Sequence, residues 1–279
     1  MLRTALLATT AAVALASSAF AADLPSRRAP APYVAVPVFT WTGFYIGGNA
    51  GYAFSDNNRV FTTGQTAANQ AAVGTGARPG NVQLDQEGFT GGGQIGYNQQ
   101  IGNIVIGIEA DAAYTDLQRT RTITTFAGAV PGAAPAVRDN IFRQDLAFLG
   151  TVRGRIGYAF DRLLVYGTGG FAYGDVDYQA NFTGAVPPST LQFTGRRTNI
   201  ETGYTAGAGV EYAMPTSFSL FGSNAVTIKA EALYYDLGRR TVAVNLVPGS
   251  GGTPTGYNSR FETSGVIARA GVNFKFGTF

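Results

Sequence analysis

From Trp41 to the C-terminus, apolar and polar side chains alternate with a period of two residues, and this pattern constrains the fold more than any other feature. Near residue 208, for example, Tyr204 and Val210 fall on one face of a strand, whereas Thr205 and Glu211 fall on the other. The sequence has no sustained helical period, and no apolar run reaches the roughly 20 residues of a membrane-spanning helix. We therefore predict eight strands, at residues 44–54, 88–100, 104–117, 145–160, 163–175, 201–212, 225–237 and 262–279.

The joins between the predicted strands alternate in length. Three of them are turns, at residues 101–103, 161–162 and 213–224, whereas the other four are long and rich in Gly, Pro, Thr and Asn, at 55–87, 118–144, 176–200 and 238–261. Short turns on one rim and long loops on the other are typical of outer-membrane barrels, and an even strand number places both chain ends on the short-turn rim. We predict that residues 41–279 form an all-β fold, an eight-stranded antiparallel transmembrane β-barrel with short periplasmic turns and four long extracellular loops.

The N-terminal segment reads as an export signal followed by a linker. Residues 1–21 combine a basic start, an apolar alanine-rich stretch and the sequence Ala19-Phe20-Ala21, which fits a signal-peptidase site; cleavage after Ala21 or Ala22 is equally compatible. Residues 22–40 contain four prolines around two arginines, a composition that favours an extended tether. We predict a signal peptide at 1–21 and a periplasmic linker at 22–40.

One face of the predicted strands carries nearly all of their charge, and in a barrel surrounded by lipid this face points inward. An eight-stranded barrel is only wide enough for its interior side chains to fill it, and isolated buried ions are costly. We therefore expect a salt-bridge network that plugs the lumen; a narrow, intermittently wet path lined by the same residues is the alternative. The predicted network consists of the basic residues Arg153, Arg155, Lys229, Arg269 and Lys275 and the acidic residues Glu109, Asp111, Glu211 and Glu231.

Arginines are concentrated in and beside the second to fourth long joins. The nine are Arg119, Arg121, Arg138, Arg143, Arg196, Arg197, Arg239, Arg240 and Arg260. Only Asp139 and Asp177 oppose them within these joins, so nine minus two leaves an excess of about +7. Because arginine matches phosphate geometry, we hypothesise that this rim binds the phosphates of lipopolysaccharide in the outer leaflet. Ordinary solvated loop charges are the alternative.

The chain contains no histidine and no cysteine, which excludes several function classes. A zinc finger, a disulfide framework and a Ser-His-Asp triad all require residues that are missing here. No serine or threonine stands recognisably beside a candidate base, so we predict neither an enzyme nor a cofactor. The formal charge of +3 is scattered along the chain, and we expect no nucleic-acid partner.

Five sequence blocks carry a resemblance to a known family. They are WTGFYIGGNAGY at 41–52, GGGQIGYNQQ at 91–100, GTVRGRIGYAFDRLLVYGTGGFAYG at 150–174, TGYTAGAGVEY at 202–212 and IKAEALYYDLG at 228–238. Together they resemble the small outer-membrane immunogenic proteins of alphaproteobacteria, an OmpA-like group of barrels that is often labelled porin-family. The resemblance implies an eight-stranded outer-membrane barrel with surface-exposed loops, and some members of the family are associated with haemin binding or adhesion. It carries no catalytic residues.

The C-terminal strand is the segment that the outer-membrane assembly machinery would recognise. Relatives typically end at an aromatic residue equivalent to Phe276, whereas Gly277, Thr278 and Phe279 follow here. Either Phe276 or Phe279 is therefore the terminal aromatic of the assembly signal.

From these observations we expect a non-enzymatic outer-membrane barrel with a structural role in the envelope and in surface contact. A small-solute porin is one alternative. A surface receptor for a ligand such as haemin, or an adhesin, is the other; without histidine, it would need tyrosine ligands such as Tyr257 or Tyr178.

Overall fold

The computed structural model describes residues 39–55, 58–127, 136–184, 190–215, 223, 225–251 and 255–277. The predicted signal peptide, most of the predicted linker and Phe279 lie outside the described residues. Residues 39–279 form one compact unit.

Eight long antiparallel strands form a closed ring. The elements in chain order are β1 (Gly43–Phe54), β2 (Arg59–Gly64), α1 (Ala67–Gly74), β3 (Asn81–Gln83), β4 (Glu87–Ile101), β5 (Ile104–Ala127), β6 (Ala136–Phe160), β7 (Leu163–Thr183), β8 (Leu191–Ala213), β9 (Ala225–Leu246) and β10 (Tyr257–Phe276). The strand order is β1-β4-β5-β6-β7-β8-β9-β10, and β1 pairs with β10 from Phe44–Phe276 to Phe54–Val266, which closes the ring. The all-β, eight-stranded prediction is confirmed.

We call the end with the turns at 102–103 and 161–162 the turn end, and the opposite end the loop end. At the loop end the first hairpin bends. Strand β2 continues β1 and pairs with β10, while β3 pairs with β2 and leads into β4. Among the described residues, no helix combines the length and hydropathy needed to cross a membrane.

The strands extend much further toward the loop end than the sequence analysis predicted. Strands occupy most of the predicted loops at 118–144, 176–200 and 238–261. The joins that remain between these strands are residues 128–135, 184–190 and 247–256. Strand β6 has 25 residues and is about 80 Å long. A tilted strand needs only about 9–11 residues to cross a bilayer. The long strands therefore exceed the length needed to cross a bilayer, and the excess lies on the side of the loop end.

The polarity of the two faces inverts along the long strands, as β7 illustrates. Near the turn end, Val165 and Phe171 point outward and are about half exposed, in keeping with lipid contact. Beyond Tyr173 the outward positions carry aspartate, glutamine and asparagine, whereas the inward residues, such as Val176 and Phe182, are buried and apolar. We call the region with the apolar outer surface the turn-side half. We call the region with the polar outer surface the loop-side half.

The barrel interior therefore consists of three layers. Inward residues of the loop-side half form a large apolar cluster. Charged and polar side chains fill the middle, and a smaller apolar cluster around Trp41 fills the turn end.

Candidate functional site

Eight of the nine predicted interior charges meet in one network in the turn-side half. Alternate residues of a strand share a face, so Glu109 and Asp111 of β5 point into the lumen together, as do Arg153 and Arg155 of β6. All eight side chains are buried.

Arg153 lies at the centre of the network and contacts three carboxylates. It forms an ion pair with Glu109, its direct neighbour across the β5–β6 ladder. Its Nη2 lies 2.9 Å from an oxygen of Asp111, and its Nη1 lies 3.4 Å from Glu231 on the opposite wall. The forked donors of a guanidinium allow one side chain to satisfy several acceptors at once.

Arg269 and Lys229 complete the network on the side of β9 and β10. Arg269 lies 2.8 Å from Glu231 and 3.1 Å from Asp111. The Nζ of Lys229 lies 2.9 Å from Glu109 and 3.3 Å from Glu231. Each of these carboxylates therefore contacts more than one cation.

Arg155 extends the network toward the turn end. Its guanidinium lies 2.7 Å from Glu211 and stacks 3.9 Å from the centre of the Tyr166 ring. Its Nη1 also donates to the hydroxyl of Tyr45 at 3.1 Å, and Tyr45 in turn donates to Glu109 at 2.8 Å. Two buried tyrosines thus link the ion pairs to one another.

The network is balanced in charge. Four cations (Arg153, Arg155, Lys229 and Arg269) face four carboxylates (Glu109, Asp111, Glu211 and Glu231). Inward glycines make room for the long basic side chains. A Cβ on Gly51 would lie 2.6 Å from the Cβ of Arg269, and a Cβ on Gly170 would lie 2.7 Å from the Cα of Arg153.

Lys275 does not belong to this network, which corrects the sequence prediction. It lies six residues beyond Arg269 on β10, about 20 Å along the strand. Its Nζ donates to the backbone carbonyl of Trp41 at 2.7 Å and lies 5.6 Å from the centre of the Trp41 ring. Lys275 forms no ion pair with a carboxylate of the described residues.

Trp41 closes the turn end of the lumen, a role that the sequence analysis missed. The side chain is fully buried, and its indole Nε1 donates to the carbonyl of Asp161 at 3.1 Å. The ring of Phe39 packs edge-on against the indole, with 5.1 Å between the ring centres. The backbone N–H of Trp41 donates to the side-chain oxygen of Gln100 at 2.7 Å. The sequence feature that could have indicated this role is the single tryptophan of the chain, which lies directly before the first strand.

The loop end is closed by apolar packing. Val60, Val82 and Leu84 of the bent first hairpin are buried among inward residues of the loop-side half, including Leu146 and Phe182. Because the outer surface here suits water, an apolar interior is the arrangement that stabilises this half.

The excess of about +7 counted within the joins is partly offset, because carboxylates of the same strand or of a neighbouring strand lie beside five of the nine arginines. The ion pairs are Arg143 with Asp145, Arg196 with Asp177, Arg239 with Glu262, and both Arg197 and Arg240 with Glu201. The predicted loops are strands, so a carboxylate on the adjacent strand, or two or four residues along the same strand, lies on the same face as the arginine. Arg119, Arg121, Arg138 and Arg260 form no ion pair with a described carboxylate, although Arg121 donates to the carbonyl of Gln83 at 2.7 Å.

An outward basic patch remains where β9, β10 and β2 meet. Arg260 of β10 is exposed and pairs in register with Phe61 of β2, two residues from Arg59, which is also exposed and points outward. Arg239 and Glu262 lie on the same surface. We call Arg59, Arg239, Arg260 and Glu262 the outward patch; three cations and one carboxylate leave it basic. The sequence analysis did not single out Arg59.

The two tyrosines considered as haemin ligands are buried in the loop-side half. Tyr178 is fully buried and shares a hydrogen bond of 2.7 Å with Thr263, and burial raises its pKa to about 12. Tyr257 is 3% exposed and packs against Phe182 and Phe193. In this conformation neither hydroxyl is presented on the surface. The described residues contain no cluster of acidic side chains suited to a metal ion.

Comparison with known proteins agrees with this architecture. Residues 7–276 match the family model described as outer membrane protein beta-barrel domain. The chain is 36% identical over 281 residues to a 31 kDa outer-membrane immunogenic protein of Brucella melitensis, covering 99% of this chain and all of that protein. It is 28% identical to a 22 kDa outer membrane protein of Rhizobium leguminosarum bv. viciae, over 72% of this chain and 66% of that one.

Among solved structures, the outer membrane protein OprG of Pseudomonas aeruginosa aligns with a TM-score of 0.47 and 15% identity, over 85% of this chain and 97% of that chain. The family match and the full-length relative together determine the assignment. The chain belongs to the outer-membrane β-barrel family, among the outer-membrane immunogenic proteins, and is an outer-membrane protein.

Proposed function

We propose that this barrel is a non-conducting structural component of the outer membrane, whose loop-side half provides a surface for contact outside the cell. The observation that carries the proposal is that side chains fill the lumen at three levels. These levels are the packing around Trp41, the balanced charge network and the apolar cluster of the loop-side half.

The charge network is the layer that opposes conduction most strongly. An aqueous path through it would have to part ion pairs that hold eight buried charges. A buried charge without its partner is strongly destabilising, typically by several kcal/mol. The apolar layer at the loop end adds a dry barrier in series with the network. The narrow-pore alternative requires both layers to open together.

Contact with lipopolysaccharide is a further part of the proposal. The outward patch lies beyond the residues with an apolar outer surface, and we infer that it faces the phosphates of the outer leaflet. Exposed arginines bind phosphate through forked hydrogen bonds. Arg59 and Arg260 support this role best, because neither forms an ion pair with a described carboxylate.

A deletion strain tests the structural role against the porin alternative. We expect cells without this protein to admit more of a large antibiotic that an intact outer membrane excludes, and expression of the wild-type chain should restore exclusion. Uptake of small hydrophilic solutes should not fall. A deletion strain with normal exclusion and reduced uptake of small solutes would support the porin alternative and overturn the proposal.

Reversing charge in the outward patch tests the contact with lipopolysaccharide. We expect Arg59→Glu/Arg260→Glu to reduce the lipopolysaccharide that co-purifies with the barrel several-fold, since repulsion replaces two phosphate contacts. Gln99→Glu, an exposed position near the turn end, is the control and should change nothing. Equal amounts of lipopolysaccharide on the double variant and the wild type would exclude this part of the proposal.

A further inference from the structure

Arg78 is a buried cation without an acidic partner. It lies between α1 and β3, in the segment that crosses the loop end of the barrel, and only 2% of the residue is exposed. No carboxylate of the described residues forms an ion pair with it. Burial lowers its pKa, yet a guanidinium remains charged at neutral pH. Something other than opposite charge must therefore stabilise it.

Three aromatic rings and three oxygen atoms surround the guanidinium. Its carbon lies 5.2 Å from the ring centre of Phe182, 5.8 Å from that of Phe193 and 5.9 Å from that of Tyr257. These distances are within the range of cation–π attraction. The oxygen acceptors are the side chain of Asn140 at 2.8 Å, the carbonyl of Thr183 at 2.8 Å and the side chain of Gln192 at 3.3 Å. We call these six groups the guanidinium cage.

The cage belongs to the barrel wall, and its rings also contact one another. Its members lie on β6, β7, β8 and β10, or at the edges of those strands. Tyr257 packs edge-on against both phenylalanines, at 5.4 and 5.1 Å between ring centres. Edge-to-face contacts of this kind hold the three rings in place relative to one another. These ring contacts do not involve Arg78.

The occupant, in contrast, belongs to a connection rich in glycine. Gly74, Gly76 and Gly80 surround Arg78 along the chain, and Gly76 adopts a φ of +76° that favours glycine. Asn69 anchors the near side of this connection by donating to the carbonyl of Gly256 at 2.9 Å. On the far side, Arg78 enters the cage. The cage thus lies on the barrel wall, whereas the cation that fills it lies on the connection between α1 and β3, as an internal ligand would.

We propose that the guanidinium cage is a binding site for guanidinium-bearing ligands at the extracellular mouth, and that Arg78 occupies it as an internal competitor. The ligand is an alkylguanidine, either as a small molecule or as the arginine side chain of a peptide. Binding exchanges one guanidinium for another in the same cage. It frees the side chain of Arg78, so that, within the described residues, only the hydrogen bonds from Thr125 to the carbonyl of Ala77 and from Thr62 to the carbonyl of Gly80 fasten the segment 75–80 to the strands, which couples ligand binding to loosening of the loop end.

Removing the competitor tests the proposal directly. Purified Arg78→Ala protein, with its fold verified by heat-modifiable migration, is titrated calorimetrically with ethylguanidinium. We expect binding at least about tenfold tighter than to the wild type, because the cage is empty in the variant. Asn81→Ala, which changes an exposed residue of the same hairpin, should behave as the wild type. Arg78→Ala/Phe193→Ala, which removes one wall of the cage, should lose the gain.

Three further ligands test which cation the cage selects and whether its ligand is a small molecule or a peptide. Ethylammonium and sodium chloride at equal concentration should bind Arg78→Ala more weakly than ethylguanidinium does, because neither presents a planar fork to the three acceptors. An arginine-containing tripeptide amide that binds as well as ethylguanidinium identifies the peptide as the source. A tripeptide that does not bind restricts the site to small alkylguanidines.

Either of two results would overturn the proposal. If folded Arg78→Ala binds ethylguanidinium no better than the wild type, the cage is not a ligand site and the proposal is wrong. If Arg78→Ala does not fold, the competition is measured on the wild type by limited proteolysis of residues 65–80. Ethylguanidinium should accelerate cleavage there, whereas ethylammonium should not, and equal cleavage rates would overturn the proposal.

Discussion

At the scale of single residues, Arg153 shows why the interior charges act as a unit. Its fully buried guanidinium contacts Glu109, Asp111 and Glu231, so one substitution leaves three carboxylates with fewer cations. Breaking a buried ion pair from one side is costly, because the remaining charge can neither pair nor hydrate.

We expect Arg153→Met to lower the free energy of unfolding by about 3–5 kcal/mol, measured by urea titration of the barrel in lipid vesicles. Arg153→Met/Glu109→Gln should lose less than the sum of the two single variants, because it restores the charge balance. Arg196→Ala, which removes an exposed ion pair, is the control and should unfold as the wild type does. Strict additivity in the double variant would contradict a coupled network.

The residue scale also separates what the sequence could predict from what it could not. Alternation alone placed all nine charges on the inward face, where they are buried, because the side-chain period of a strand is fixed at two. It could not predict the partner of Lys275, which is a backbone carbonyl outside the strands. Nor could it find Arg78, because the six groups of the guanidinium cage come from four distant parts of the chain and share no sequence pattern.

At the scale of elements, strand β7 explains why the predicted strands were too short. The apolar residues Val176, Tyr178, Ala180 and Phe182 still alternate with polar ones, but the apolar face is now the inward face. The sequence prediction took apolar residues to face lipid, so it ended this strand at residue 175. The same inversion placed Asp145, Glu201 and Glu262 beside arginines that seemed to lie in unopposed loops.

The inversion predicts opposite outcomes for the same change at two positions of β7. Val176→Asp places an unpaired carboxylate in the apolar cluster, and we expect it to expose the loop-side half to added protease. Gln179→Asp, on the outward face, is the matched control. It lies in register between Arg143 and Arg196, so the wild-type resistance should remain. Equal protease resistance of the two variants would contradict the assignment of the faces.

At the scale of the whole molecule, the barrel joins two environments in one ring of strands. The turn-side half has an apolar outer surface and a charged interior, and the loop-side half has the reverse. The charge network, the apolar cluster and Trp41 then lie in series along one lumen. This series arrangement, rather than any single contact, is the basis for the proposal that the barrel does not conduct.

Single-channel recording in a planar bilayer tests this account most directly. The refolded mature chain is compared with a porin of established conductance that is reconstituted in the same way. We expect the wild-type barrel to remain silent, or to open only rarely and with small amplitude, because both the charge network and the apolar layer would have to part. A steady conductance in every inserted barrel would contradict the account, since the interior charges would then line a water-filled pore.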